Sequence, residues 1–238
     1  MLKNKISGCY FFYSSAFVCG DKQVNFDFIQ IKDNILVTPN YNFTVYKNPV
    51  IRKEANGKTV LVLNTTGQYV ELPNKGIECI QDMTKCDSGF TLSLDIKWLN
   101  MNSTNKLYIF SSGGDKVNNS GIALYLWHGE LYCSAKKDKA IWTAKQKLGV
   151  KPGEWHSFQV SWNKQNGFIV YLDGHFFMKN SIHLPNPAQN GVYPLLIATT
   201  PGHNDTSLME VRNLYTWTAS RDILINHTCI TGRCQCYF

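Results

Sequence analysis

An all-β fold, two antiparallel sheets packed as a sandwich, is what this sequence predicts, and three observations carry that prediction. Charged residues make up only 17% of the 238 residues while aromatic side chains reach 13%, a balance that favours strands and turns over long surface helices. Apolar and polar residues alternate in run after run. Between the runs stand Asn-Gly, Asp-Gly and other glycine-containing reversals, with no convincing amphipathic helix among them. With 44% hydrophobic residues the chain can bury a large core, and no linker, repeat or low-complexity tract divides it.

Taken in order, "VNFDFIQIKDNILVTP" reads as strands added ahead of the main body. "GFTLSLDIKWL" alternates without a fault, with Phe90, Leu92, Leu94, Ile96 and Trp98 on one face and Thr91, Ser93, Asp95 and Lys97 on the other. "KLYIFSS" follows, then "GIALYLWHGELYCSA", which the reversal at His128 to Glu130 folds into a hairpin. "EWHSFQVSW" sets His156, Phe158, Val160 and Trp162 on one side. Asn166-Gly167 and Asp173-Gly174 supply the positive φ angles of two-residue type I′ turns, so Trp155 to Met178 is expected to form a three-stranded meander. "PLLIATT" and "SLMEVRNLYTWT" add strands on either side of the loop "PGHNDT".

Eight cysteines, an even number, and six Asn-x-Ser/Thr acceptor sites, at Asn42, Asn64, Asn102, Asn118, Asn204 and Asn226, point to an oxidising, extracellular compartment. The sites are about twice as many as composition alone would give. A reduced cytosolic chain with fortuitous acceptor sites is the competing reading. The first twenty residues have the positive start and apolar middle of a leader, but Ser, Gly and two cysteines break the middle. Cys9 and Cys19 are instead expected to staple an N-terminal hairpin, and whether Met1 is the natural start stays open. No stretch reaches the roughly 18 uninterrupted apolar residues of a membrane span.

Several segments, in order, resemble a known family. "GKTVLVLNTTGQYVELP", Gly57 to Pro73, looks like the opening signature of the laminin-G-like and concanavalin-A-like jelly-roll domains. "GFTLSLDIKW", "SGIALYLWHGELYCSA", "KPGEWHSFQVSWN", "FIVYLDGHFF" and "LMEVRNLYTWT" are similar to its later strands, and the resemblance covers about Thr38 to Leu224. It implies a jelly-roll domain over 38–225, preceded by a disulfide-stapled extension over 1–37 and followed by a Cys-rich tail over 226–238. It also implies a local disulfide between Cys79 and Cys86, which flank the turn before "GFTLSL", as in many animal members. The pairing of Cys133, Cys229, Cys234 and Cys236 stays open.

Some relatives of this jelly roll are glycosidases carrying Glu-x-Asp-x-Glu on one strand, because acid and nucleophile must share a face about 5 Å apart. No such triplet occurs among the 17 acidic residues. Nucleophile elbow, His-Glu-x-x-His, phosphate loop and Rossmann fingerprint are likewise missing from the sequence. The six histidines are scattered, and His156 and His175 lie in strands with no partner evident from sequence. "CITGRCQCYF" reads as disulfide cysteines rather than a zinc site, since Cys-x-Cys is not the usual zinc spacing. Asp173 matches the family's "vDG" turn, so backbone conformation, not catalysis, is the expected reason for it. The expectation is no enzyme.

Two binding chemistries remain. The family's calcium sites at the sandwich rim imply a candidate set in "SSGGDKVNNSG" and "PGHNDT": Asp115 and Asn119 with Asp205, beside Asn118 and Asn204. Ordinary loop polarity competes with it, and glycans on Asn118 or Asn204 would claim the same space. Net charge is +7, and Lys136, Lys137, Lys139, Lys145, Lys147 and Lys151 gather around Trp142 in "AKKDKAIWTAKQKLGVKPG". Such a cluster attracts polyanions, and the resemblance implies sulfated glycosaminoglycans; a solvated strand edge is the competing reading. Nucleic acid fits poorly with an extracellular domain. The function expected is therefore a non-enzymatic extracellular recognition or adhesion module, within a larger ectodomain or matrix assembly, binding protein or glycan through rim loops or a sheet face. A carbohydrate-active enzyme and a purely structural spacer are the alternatives.

Overall fold

A computed structural model describes residues 9–11, 17–19, 22–25, 30–37, 42–73, 77–102, 104–116, 119–180, 184–185, 191–202 and 206–217. These residues build a sandwich of two antiparallel sheets, as the alternation predicts. The eight-stranded sheet runs His175–Asn180, Gly167–Leu172, His156–Asn163, Phe90–Trp98, Met209–Trp217, Thr59–Leu63, Val50–Lys53, with Lys22–Asn25 also pairing to Met209–Trp217. The ten-stranded sheet runs Leu184–Pro185, Ala140–Lys147, Glu130–Lys137, Gly121–Trp127, Leu107–Ser111, Leu196–Ile197, Tyr69–Glu71, Asn42–Tyr46, Ile35–Val37, Gln30–Lys32. Lys22–Asn25 thus extends the first sheet, and Gln30–Lys32 with Ile35–Val37 the second. Cys9–Phe11 and Phe17–Cys19 form a separate pair whose register sets Cys9 opposite Cys19.

The inward set of every long strand meets in one core. Leu92, Leu94, Ile96, Phe158, Val160 and Val170 face Ile122, Leu124, Leu126, Leu131 and Ala135 across the sandwich, all within 3% of full burial. Trp142 and Trp162 bridge the sheets edge to face with ring centroids 5.2 Å apart. Cys79 and Cys86 are joined by a disulfide, whereas Cys133 is a free thiol buried in this core, and burial pushes its pKa well up. Cys133 therefore leaves the set of cysteines awaiting partners.

The meander is present, His156–Asn163 to Gly167–Leu172 to His175–Asn180, but only one of its turns has the expected form. Asp173 and Gly174 sit at φ 51° and 79° between paired Leu172 and His175, a two-residue type I′ reversal. The other turn is longer. Asn163 pairs with Gly167, leaving Lys164 to Asn166 in the loop; Gly167 has φ 69°, and the Asn163 Oδ1 accepts from the Asn166 N–H at 2.7 Å. That side chain supplies the hydrogen bond a tighter turn would have made with backbone. Thr91 and Ser93 are also buried, not solvent-facing; Thr91 shares a 3.1 Å hydroxyl contact with Ser161, and their register partners Trp217 and Tyr215 stand on the same face. No helix among the described residues is long and apolar enough to cross a membrane.

Candidate functional site

The alternation that buries Leu124, Leu126 and Leu131 necessarily turns Tyr125, Trp127, Glu130 and Tyr132 outward. Register then brings Tyr125 opposite Tyr132 and Tyr108 opposite Tyr125. The result is a row of rings on the outer face of the ten-stranded sheet. Tyr125 and Tyr132 stack with centroids 5.2 Å apart and planes within 1°, Tyr108 lies 5.3 Å from Tyr125, and Trp127 lies 5.8 Å from Tyr132. Tyr108 and Tyr125 are buried at the inner end, while Trp127 and Tyr132 are half-exposed beside the His128–Gly129 turn.

Polar groups fix each ring. The indole Nε1 of Trp127 donates to the Thr104 carbonyl at 3.3 Å. The Tyr132 hydroxyl donates to Glu130 at 2.9 Å, and Lys145 donates to the same carboxylate oxygen at 3.1 Å. The Tyr132 hydroxyl and then the Lys145 ammonium hold the Glu130 carboxyl below its ordinary value, and Glu130 in turn raises both partners. At the buried end Lys106 stands 4.5 Å over the Tyr125 ring. Burial and the nearby Asp115 charge push the Tyr125 hydroxyl upward. Lys147 extends the cationic rim, outward-facing opposite Glu130.

Asp115 is withdrawn from the calcium set by the same network. One carboxylate oxygen accepts from the Tyr108 hydroxyl and from Lys106 at 3.1 Å, and the other accepts from Thr200 at 3.3 Å. Burial alone would raise its pKa, but Tyr108 and Lys106 outweigh it and hold the carboxyl below its ordinary value. An ammonium occupies the side a cation would need. Asn119 forms a bridge with Gly191, and Asp205 lies outside the described residues.

The lysine cluster does not survive as drawn. Lys136 and Lys137 are 6% and 5% exposed. Lys136 donates to the Lys116 carbonyl, and burial lowers its pKa; Lys137 points inward, donates to the Cys86 carbonyl at 3.1 Å and stands 6.0 Å from the Trp162 ring. Adjacent strand residues take opposite faces, so neighbours in sequence cannot share one patch. Lys139, Lys145, Lys147 and Lys151 remain exposed. His156, expected to lack a partner, has its Nδ1 2.9 Å from Asp173 and its Nε2 3.8 Å from Glu154. Asp173 also accepts from the Ser157 N–H at 2.8 Å, so its carboxylate braces the turn as well as forming it. Asn42, Asn64 and Asn102 are exposed, while Asn118, Asn204 and Asn226, with Cys229, Cys234 and Cys236, lie outside the described residues.

The opposite outer face has its own ring and charges. Arg212 lies 3.9 Å over Trp155 and pairs with Glu54 and Asp95, while Arg52 and Lys97 each reach Glu210 at 2.6 Å. Sequence reasoning missed both aromatic sites. The signal was present in "GIALYLWHGELYC", where aromatic residues fill outward positions that solvent alone would leave to small polar side chains.

No family model and no curated protein matches the sequence. Solved structures do. The chain is similar to the botulinum neurotoxin serotype D binding domain, with a TM-score of 0.56, 15% identity, and coverage of 84% of this chain and 48% of that one. It is similar to the binding domain of Paraclostridial Mosquitocidal Protein 1, with a TM-score of 0.57, 14% identity, and coverage of 82% and 49%. The binding domain of botulinum neurotoxin DC in complex with SialylT gives a TM-score of 0.52, 13% identity, and coverage of 84% and 48%. The chain spans about half the length of these structures, and what they share with it is the β-sandwich.

Proposed function

We propose that this chain is a non-catalytic recognition module acting outside the cell, and that Trp127 and Tyr132 form a platform for glycans bearing acidic groups. One observation carries the proposal: two half-exposed rings are held in fixed orientation by Thr104 and Glu130 while cations stand at their rim. A pyranose has one face of C–H groups, and stacking it on a ring buries apolar surface at little entropic cost when the ring is already fixed. Lys145 and Lys147 would meet a carboxylate or sulfate on the same sugar, which keeps sulfated glycosaminoglycan among the ligands in a form that omits Lys136 and Lys137. The likeness to toxin binding domains, one of them solved with SialylT, supports a binding role. The ordered strand series supports the laminin-G-like assignment, and a place in a larger assembly belongs to the same proposal.

The test is an array of sialylated, sulfated and neutral oligosaccharides probed with the full chain and with the Trp127→Ala, Tyr132→Ala double variant. The chain is expected to retain acidic glycans, and the variant to lose at least about tenfold in affinity, the scale of paired hot-spot rings. Equal binding by the folded variant would remove the platform from the account, and hydrolysis of any array sugar would replace recognition with catalysis.

A further inference from the structure

The reversal between Trp127 and Glu130 takes only two residues. His128 and Gly129 have φ 49° and 74°, the positive pair of a type I′ turn, so Glu130 is set directly across from Trp127. On its other side the register places Lys147, and two residues along the strand Tyr132 faces Lys145. The period of two keeps all five on the outer face. Glu130 thus stands among both rings and both lysines of the platform.

Its carboxylate is half used. The Tyr132 hydroxyl and the Lys145 ammonium both donate to Oε2, at 2.9 and 3.1 Å, while among the described residues Oε1 accepts no hydrogen bond. The same two donors hold the carboxyl below its ordinary value, so it is ionised at neutral pH. The side chain is 34% exposed. Anchored through one oxygen, Glu130 keeps the lone pairs of the other for a donor arriving from solvent. An ionised carboxylate only accepts, so a hydroxyl or N–H can bind there and a sulfate cannot.

We infer that Glu130 sets the specificity of the platform: Oε1 accepts a free hydroxyl of the stacked sugar, which ranks a ring with one acidic group and that hydroxyl above the same ring with its hydroxyls sulfated. Charge points the same way. Lys145 and Lys147 stand around one carboxylate, leaving a single net positive charge that one acidic group on the ligand matches. Sulfating the bonded hydroxyl removes the donor and sets a like charge beside Glu130. A site built to bond a hydroxyl discriminates against the analogue that lacks it. Sialic and uronic acid rings, each with one carboxylate and unsubstituted hydroxyls, meet both conditions. This inference rests on the reading of Trp127 and Tyr132 as a glycan platform and names the acidic sugars that platform prefers.

The test titrates a glucuronic-acid-containing tetrasaccharide and its fully O-sulfated counterpart into the full chain and into Glu130→Gln, by calorimetry at about 0.1 M salt. The full chain is expected to bind the unsulfated tetrasaccharide more tightly. In Glu130→Gln the amide oxygen can still accept from Tyr132 and Lys145, while an NH2 donor takes the place of Oε1. The unsulfated ligand is then expected to lose about tenfold, the scale of one hydrogen bond to a charged group, and the sulfated ligand to gain about twofold to fivefold, the scale of one exposed charge contact. A Glu130 that only braced Tyr132 could not produce opposite shifts, since a displaced ring weakens both ligands alike. Shifts in one direction, no shift, or a full chain that prefers the sulfated ligand would overturn the inference and leave the platform in place. Binding of neither tetrasaccharide to the full chain also overturns it, and the array of sialylated, sulfated and neutral oligosaccharides then decides the platform separately.

Discussion

The two outer faces of the sandwich carry the same ingredients and arrange them to opposite ends. On the eight-stranded sheet Arg212 covers Trp155 at 3.9 Å, and Arg52, Lys97 and Arg212 are matched by Glu54, Asp95 and Glu210. On the ten-stranded sheet Lys106 caps the buried Tyr125, while Trp127 and Tyr132 stay half-exposed and Lys145, 5.8 Å from the Tyr132 ring, shares one carboxylate at the rim. The first face spends its charges on one another; the second leaves ring surface and cationic charge for something else. Counting lysines or tryptophans does not distinguish them. What does is how closely a cation covers the ring, 3.9 Å for Arg212 over Trp155 against 5.8 Å for Lys145 over Tyr132.

Removing Arg212 breaks that comparison most severely. Its side chain is 14% exposed, and without it Glu54 and Asp95 lose their shared cation. Arg212→Ala is expected to cost about 3 kcal/mol, the cost of orphaning a largely buried charge, and to lower the melting temperature by roughly 8 °C. It also removes the nearer of the two cations over Trp155, leaving Lys97 at 5.2 Å. If ring access alone made a platform, the variant would gain glycan binding there; the expectation is none, because Glu54, Asp95 and Glu210 then outnumber Arg52 and Lys97. New array signal from Arg212→Ala would mean that a net cationic rim is not required.

Asp115→Asn probes how the platform's buried end is held. The change takes a 4% exposed carboxylate from Lys106 and Tyr108, and a loss of about 2 kcal/mol is expected for charge-assisted hydrogen bonds. The pH dependence has a definite sign. The Asp115 carboxyl is held below its ordinary 3.8 when folded, so its stabilisation is complete above that value and is lost as pH falls through the lower folded-state one. The gap in melting temperature between the protein and the variant should therefore be constant at neutral pH and close below about pH 4. A gap that persists in acid would assign the effect to packing rather than to the carboxylate.

The sandwich was legible because alternation records burial directly: Phe90 to Trp98 and Phe158 to Trp162 go inward as read. The type I′ turn at Asp173-Gly174 was legible because positive φ at successive residues restricts their type. Where side chains substitute for backbone, the reading failed. Asn163 lengthened the neighbouring turn, and the Asp115 carboxylate turned out to be held by Tyr108 and Lys106, far from the loop ligands that sequence proximity suggested. Lys137 was grouped with Lys145 by position along the chain although strand geometry sends it to the opposite face, and Lys136, on the same face as Lys145, is buried with its ammonium on the Lys116 carbonyl. The platform itself needed register, since nothing local says that Tyr132 will stack on Tyr125.

The smallest effect is also the one that isolates charge from stacking. Lys145 is 60% exposed on its side chain, and Lys147 is exposed beside it, so Lys145→Ala with Lys147→Ala is expected to move the melting temperature by no more than about 1 °C, as for exposed pairs generally. Binding should respond instead. If Trp127 and Tyr132 supply stacking and the lysines supply attraction to an acidic substituent, the double variant keeps measurable affinity but loses its dependence on ionic strength, because exposed charges act through a field that salt screens within about 10 Å at 0.1 M. A sulfated oligosaccharide titrated at several salt concentrations reads this as a flatter slope of log affinity against log salt. An unchanged slope would move the electrostatic contribution to Lys139, Lys151 or Lys106, and the rim assigned to the platform would have to be redrawn around whichever of them flattens it.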